Sequence, residues 1–199
     1  MQDTKIHPFF LNDEFFIDEK LQVMKFANEY KVFDKEGNQI GNILQRLSPW
    51  GKILRLLVNK KLLGFEFDIV DMDGKQLSSL KRGFTIWMSK INILDAADNQ
   101  IGFIKQKFSL LKPKFFIFNK DGQQIATIKG DWKAWNFTIT DMNDQEIGRV
   151  NKKWAGAMKE IFTTADKYHV VINESYAEDV NKVLILSAAI MIDMVLKEN

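Results

Sequence analysis

The stretch from Val183 to Leu196 is apolar on every face of a helix, interrupted only by Ser187 and Asp193. A helix at a protein surface carries one apolar stripe and one wet face, so this one must be surrounded. It falls short of the ~20 apolar residues needed to cross a bilayer, which leaves protein as the medium around it. The chain before it reads as strands joined by tight turns, and a sheet closed on itself is the natural wrapper. The predicted architecture is mainly β, a closed antiparallel barrel of about twelve strands around a central C-terminal hydrophobic helix.

The strands are announced by a phrase written five times. Asp34-Lys-Glu-Gly37-Asn-Gln-Ile40 returns from Asp71 to Leu77, from Asp95 to Ile101, from Asn119 to Ile125 and from Asp141 to Ile147. Each copy opens with Asp or Asn, has Gly or Asp three places on, and has Ile or Leu six places on. The first side chain can accept backbone N–H bonds, and the position three later tolerates left-handed backbone. That is the chemistry of a hairpin whose type I turn runs into a bulge. Runs of Phe, Ile, Val and Thr flank each copy, as strands prefer. From the second copy on, successive copies begin about 22–24 residues apart, which leaves room for two strands and a turn but not for a propeller blade. Further strands are expected at Phe9–Phe16, Leu21–Phe26 and Tyr168–Ile172. Ser175-Tyr-Ala-Glu178 fits a capping box, so the terminal helix is expected to start after Ser175.

Composition narrows the function. At 46% hydrophobic residues the chain can build a large core, and no linker or biased tract divides 1–199 into more than one domain. It has no cysteine, which rules out disulfides, thiolate metal sites and thiol nucleophiles. The net charge of +2 gives no sign of the global field of a nucleic-acid binder, so nucleic acid is disfavoured as a partner. His7 and His169 have no acids at metal-ligand spacing, and no phosphate-cradling glycine loop is present. The chain reads as a binder rather than an enzyme, without cofactor or metal. The start lacks a secretory signal pattern, so a cytoplasmic protein is expected, and the basic segments add the expectation of peripheral membrane association.

Two kinds of basic segment stand out. Between Gly37 and Phe65 there is no acid, and Ser48-Pro49 announces a short amphipathic helix near 49–59. Trp50, Ile53, Leu54, Leu57 and Val58 share one face of it, while Lys52 and Arg55 lie opposite and Lys60 and Lys61 follow. A basic helix with a tryptophan can lie in a membrane interface; the same pattern also fits a plug over one barrel mouth. Lys81-Arg82, Lys105 and Lys107, Lys112-Pro-Lys114 and Lys152-Lys153 recur at expected strand ends. Gathered at one rim they would attract anionic head groups; singly they would guard strand edges. Asp193, inside the apolar helix, is expected to be a hydrogen-bonded anchor near the barrel mouth.

Ile147-Gly-Arg-Val-Asn-Lys-Lys-Trp154-Ala-Gly156, then Lys159-Glu-Ile-Phe162 to Tyr168, then the apolar helix with Ile192-Asp193, resemble the phospholipid scramblases. The repeated hairpins and Gly130-Asp131-Trp132 are similar to the related LURP-one proteins, both groups belonging to the tubby-like superfamily. The resemblance implies a twelve-stranded barrel threaded by a hydrophobic helix. It also implies a function in phosphoinositide binding, calcium-dependent lipid scrambling or regulation. The calcium loop does not carry over, because Thr164 to Ser175 keeps only Asp166, with poorly ligating hydroxyls at Thr164 and Ser175. The palmitoylated cysteines and proline-rich arm of animal scramblases are missing too. The expected partner is an anionic phospholipid surface met by Trp50, Lys52, Arg55, Lys60, Lys61, Lys81, Arg82, Lys105 and Lys107. The alternatives are a protein partner or a small apolar ligand held between helix and wall.

Overall fold

The computed structural model describes residues 6–20, 29–46, 64–83, 90–107, 114–131, 135–152, 167–192 and 196, apart from the side chains of 19, 20 and 107. The strands are β1 (Glu14–Lys20), β2 (Glu29–Phe33), β3 (Gln39–Arg46), β4 (Phe65–Val70), β5 (Gln76–Arg82) and β6 (Lys90–Asp95), followed by β7 (Gln100–Lys107), β8 (Lys114–Asn119), β9 (Gln124–Asp131), β10 (Asn136–Thr140), β11 (Glu146–Asn151) and β12 (Lys167–Ile172). Each pairs with its chain neighbours, and β1 pairs with β12, so the sheet closes into an antiparallel barrel. Among the described residues one α-helix, α1 (Val180–Ile190), lies inside it against β5 to β9 and β12.

The five turns work as their residues require. Gly37, Gly74, Asp98, Gly122 and Asp144 all have positive φ, between 60° and 86°. Asp95 Oδ1 accepts from the Ala97 and Asn99 amides at 2.8 and 2.9 Å, and Asp71, Asn119 and Asp141 do the same. The conserved spacing of Ile or Leu has a second purpose. At Ile40, Leu77, Ile101, Ile125 and Ile147 the ladder slips by one residue, so each is the extra residue of a bulge.

The residue after each bulge is small: Gly41, Ser78, Gly102, Ala126 and Gly148. These positions give room to what fills the barrel. A Cβ on Gly102 would clash with the Phe118 carbonyl of the next strand and stand 2.7 Å from Leu184 of α1. One on Gly41 would clash with the Val70 carbonyl and stand 3.2 Å from the Phe9 ring, and Ser78 hydrogen-bonds Ser187 of α1 at 3.0 Å. Gly102→Ala is therefore expected to lower stability by about 1–3 kcal/mol. Gly83→Ala, with no atom within 4 Å, should leave the unfolding midpoint unchanged. Equal midpoints for the two variants would contradict so close a packing around Gly102, by the next strand and by α1 together.

Polar contacts fix α1 at both ends. The Lys182 ammonium, 1% exposed, donates to Asp13 at 2.7 Å and Glu178 at 2.6 Å. At the far end the Tyr168 hydroxyl donates to the Ile190 carbonyl.

Two expectations need correction. Phe9 does not open a strand: Pro8–Leu11 forms a 3-10 turn, with the Phe9 amide donating to His7 Nδ1, and Phe9 and Phe10 are buried. Nor does Ser175 cap the helix. Its amide and hydroxyl are spent on Asn173 Oδ1, and Asp179 is the cap, accepting from the Asn181 and Lys182 amides. The expected strand Leu21–Phe26, the helix near 49–59, Asp166 and Asp193 lie outside the described residues.

Candidate functional site

The barrel separates charge along its axis. All five turns lie at one end, where Asp34, Glu36, Asp71, Asp73, Asp95 and Asp98 sit among few lysines. The opposite strand ends carry Arg46, Lys81, Lys90, Lys105, Lys107 and Lys114. A net charge of +2 conceals this separation.

Register shows how the basic end is built. Residues directly opposite in a sheet share a face about 4.8 Å apart, and like charges there are destabilising. Three rows cross this end. In the first, Asp18 stands between Lys31 and Lys167; in the second, Glu66 stands between Arg46 and Lys81. In the third, Lys114 stands between Lys107 and Lys129. An acid holds the centre of two rows, and a lysine holds the centre of the third. Beside that row, Lys90 and Lys105 also face one another.

The second row is neutralised. Glu66 lies 3.6 Å from Arg46 and 3.4 Å from Lys81, and Arg46 also bonds Asp68, whose carboxyl is pushed up by burial against the opposing pull of Ser79 and Arg46. Lys129 reaches Asp144 at 3.1 Å. Lys90, Lys105 and Lys114 are exposed, with none of the described acids in contact with Lys90 or Lys105. Their neighbours are aromatic instead: Lys90 lies 4.1 Å from the Phe103 centroid, and Lys105 lies 5.5 and 5.1 Å from those of Phe103 and Phe118.

Of the expected site residues, Lys105 stands on this face, and Lys107 occupies its register position. Lys81 is exposed but paired with Glu66. Arg82 points into the barrel, 3% exposed, with its guanidinium 4.4 Å over Phe65. Trp50, Lys52, Arg55, Lys60 and Lys61 lie outside the described residues. Lys90, Phe103 and Phe118 escaped the reading of the sequence. The two-residue spacing of Phe103 and Lys105 puts them on one face of a strand, but nothing local says that this face is the outer one.

A cavity of about 320 Å³ lies between β11 and β12, lined by Glu146, Arg149, Asn151, His169 and Asn173 among others. Arg149 is held by Glu146, and His169 Nε2 lies 3.2 Å from Glu14 while its ring stacks on Phe16 at 4.3 Å. Burial lowers the His169 pKa from its ordinary 6.5, and Glu14 only partly offsets that. The unfolded chain therefore takes up this proton first, so stability is level above 6.5 and declines as pH falls below it. His169→Gln should reduce the loss of stability between about pH 7 and 5.5; an unaltered loss would clear His169.

Among the described residues no helix is long and apolar enough to cross a membrane. The structure is similar to the X-ray structure of an Arabidopsis thaliana protein, with a TM-score of 0.54 at 14% identity, covering 96% of this chain and 97% of that one. That likeness concerns the fold alone. In sequence, the chain is 23% identical to altered inheritance rate of mitochondria protein 25 of Saccharomyces cerevisiae, over 72% of this chain and 51% of the relative. It is 23% identical to a phospholipid scramblase family protein of Schizosaccharomyces pombe, over 92% and 52%. It is 24% identical to phospholipid scramblase 2 of Bos taurus, over 67% and 50%. The chain thus spans about half the length of these relatives. The family model described as Scramblase matches residues 16–199, and the chain belongs to that family.

Proposed function

We propose that this protein binds anionic phospholipid surfaces peripherally, through the lysine face of β6 to β9, and acts by binding rather than catalysis. The observation that carries the reading is the row Lys107–Lys114–Lys129, where two comparable rows place an acid. A sheet that sets lysine against lysine gives up stability locally, and an anionic ligand restores it. The lipid-related names of the relatives point the same way, and a link to lipid scrambling enters as part of this proposal. Trp50, Lys52, Arg55, Lys60 and Lys61 join it because Arg46 and Gly64, which bracket their segment, flank the same strand ends. The barrel interior is occupied by α1, which argues against the small apolar ligand.

Co-sedimentation with vesicles tests the reading. Binding is expected only when anionic lipid is present, and salt present before mixing should prevent it. Equal binding to neutral vesicles, or no binding at low salt, would refute it.

A further inference from the structure

The lysine face has a second layer. Phe103 and Phe118 stack on the outside of the wall, with centroids 4.9 Å apart and planes inclined by 11°. The inward residues of the same strands are Gly102 and Ile104, and Phe115 and Ile117, so this pair belongs to no part of the interior. Yet Phe103 is only 8% exposed. Among the described residues, Phe118 packs against one side of it and the Lys90 and Lys105 ammonium groups lie over its ring.

An outward aromatic pair is costly to leave in water, and these ammonium groups shield it. An exposed ammonium–ring contact is weak, and the attraction of each lysine to an anionic surface is at least comparable. Resting on the surface-binding reading above, we infer that Phe103 and Phe118 form an insertion layer, uncovered when Lys90 and Lys105 move from the ring faces to lipid phosphates. The lysines then govern capture, and the phenyl rings govern retention among the upper acyl chains of an anionic bilayer. Charge sets the association rate and desolvated apolar contact the dissociation rate, so the layers separate kinetically.

The test is stopped-flow association with, and dissociation from, vesicles of neutral lipid mixed with anionic lipid. Phe118→Ala should leave the association rate within about twofold and speed dissociation roughly tenfold, the scale of losing a buried phenyl group. Lys90→Gln with Lys105→Gln should do the reverse, slowing association chiefly. Because Phe118→Ala also removes support from Phe103, its cooperative unfolding is followed alongside. Phe118→Trp keeps the packing and reports directly, through added emission quenched by lipids brominated high in the acyl chains. Unchanged dissociation in Phe118→Ala together with no added quenching in Phe118→Trp overturns the insertion layer and leaves the surface reading standing. A wild-type chain that does not bind overturns both.

Discussion

Lys114→Glu is expected to weaken binding to anionic vesicles roughly thirtyfold while making the protein more stable. The substitution changes the face by two charges, each worth about 1 kcal/mol near an anionic surface. It also places an acid between Lys107 and Lys129, which gives the third row the pattern of Lys31–Asp18–Lys167 and Arg46–Glu66–Lys81. The Lys114–Lys129 register pair turns from like to opposite charge, a gain of up to about 0.5 kcal/mol. The opposite signs matter, since a variant that simply damaged the fold would lose stability and binding together. Lys81→Glu is the natural control, because Lys81 is already paired with Glu66. It should cost stability as well as some binding. Unchanged vesicle affinity in Lys114→Glu would remove this face from the account.

Leu186→Asp should abolish cooperative folding. Leu186 has no exposure, and Ile185, Ser187, Ala188 and Ala189 around it are buried as well. A carboxylate there has neither water nor a cation, and the lost leucine leaves space that the closed wall cannot collapse to fill. The penalty is at least ~4 kcal/mol, much of the stability of an ordinary domain. Val180→Asp, at an exposed position of the same helix, should be tolerated. A Leu186→Asp protein with a native unfolding midpoint would mean that the helix does not fill the barrel.

The fold was legible where its chemistry is local. Asp95 bonding Asn99, and Asp98 taking positive φ, follow from residues within one turn, and five copies of that turn imply a meander. The apolar run at 183–196 demanded a wrapper, and the meander supplied it. Signals failed where two residues competed for one role. Ser175 and Asp179 can both cap a helix, and Asn173 decides between them by occupying the Ser175 hydroxyl. Phe9 sits in an apolar run that suits a strand, but Pro8 and the His7 side chain turn the chain there.

The candidate site was less legible, because its meaning lies between strands. Lys107 and Lys114 are near in sequence, but Lys114 and Lys129 meet only through register, and bulges such as that at Ile125 set the register. Arg82 follows Lys81 directly, and the period of a strand sends one inward and the other out. Phe115, Phe116, Ile117 and Phe118 are apolar on both faces, so periodicity alone cannot say which two face away from α1. The small residue after each bulge was visible in all five copies; its role appears only once α1 is seen against Gly102.

The most direct measurement of the central claim uses the absence of cysteine to place one label at a time. Gly83→Cys marks the basic strand ends, and Lys35→Cys marks a tip at the acidic end, across the barrel from β7 and β8. On anionic vesicles, a polarity-sensitive dye at 83 should move into the membrane interface while the same dye at 35 stays in water. Both labels remaining in water, or the label at 35 entering first, would contradict the account.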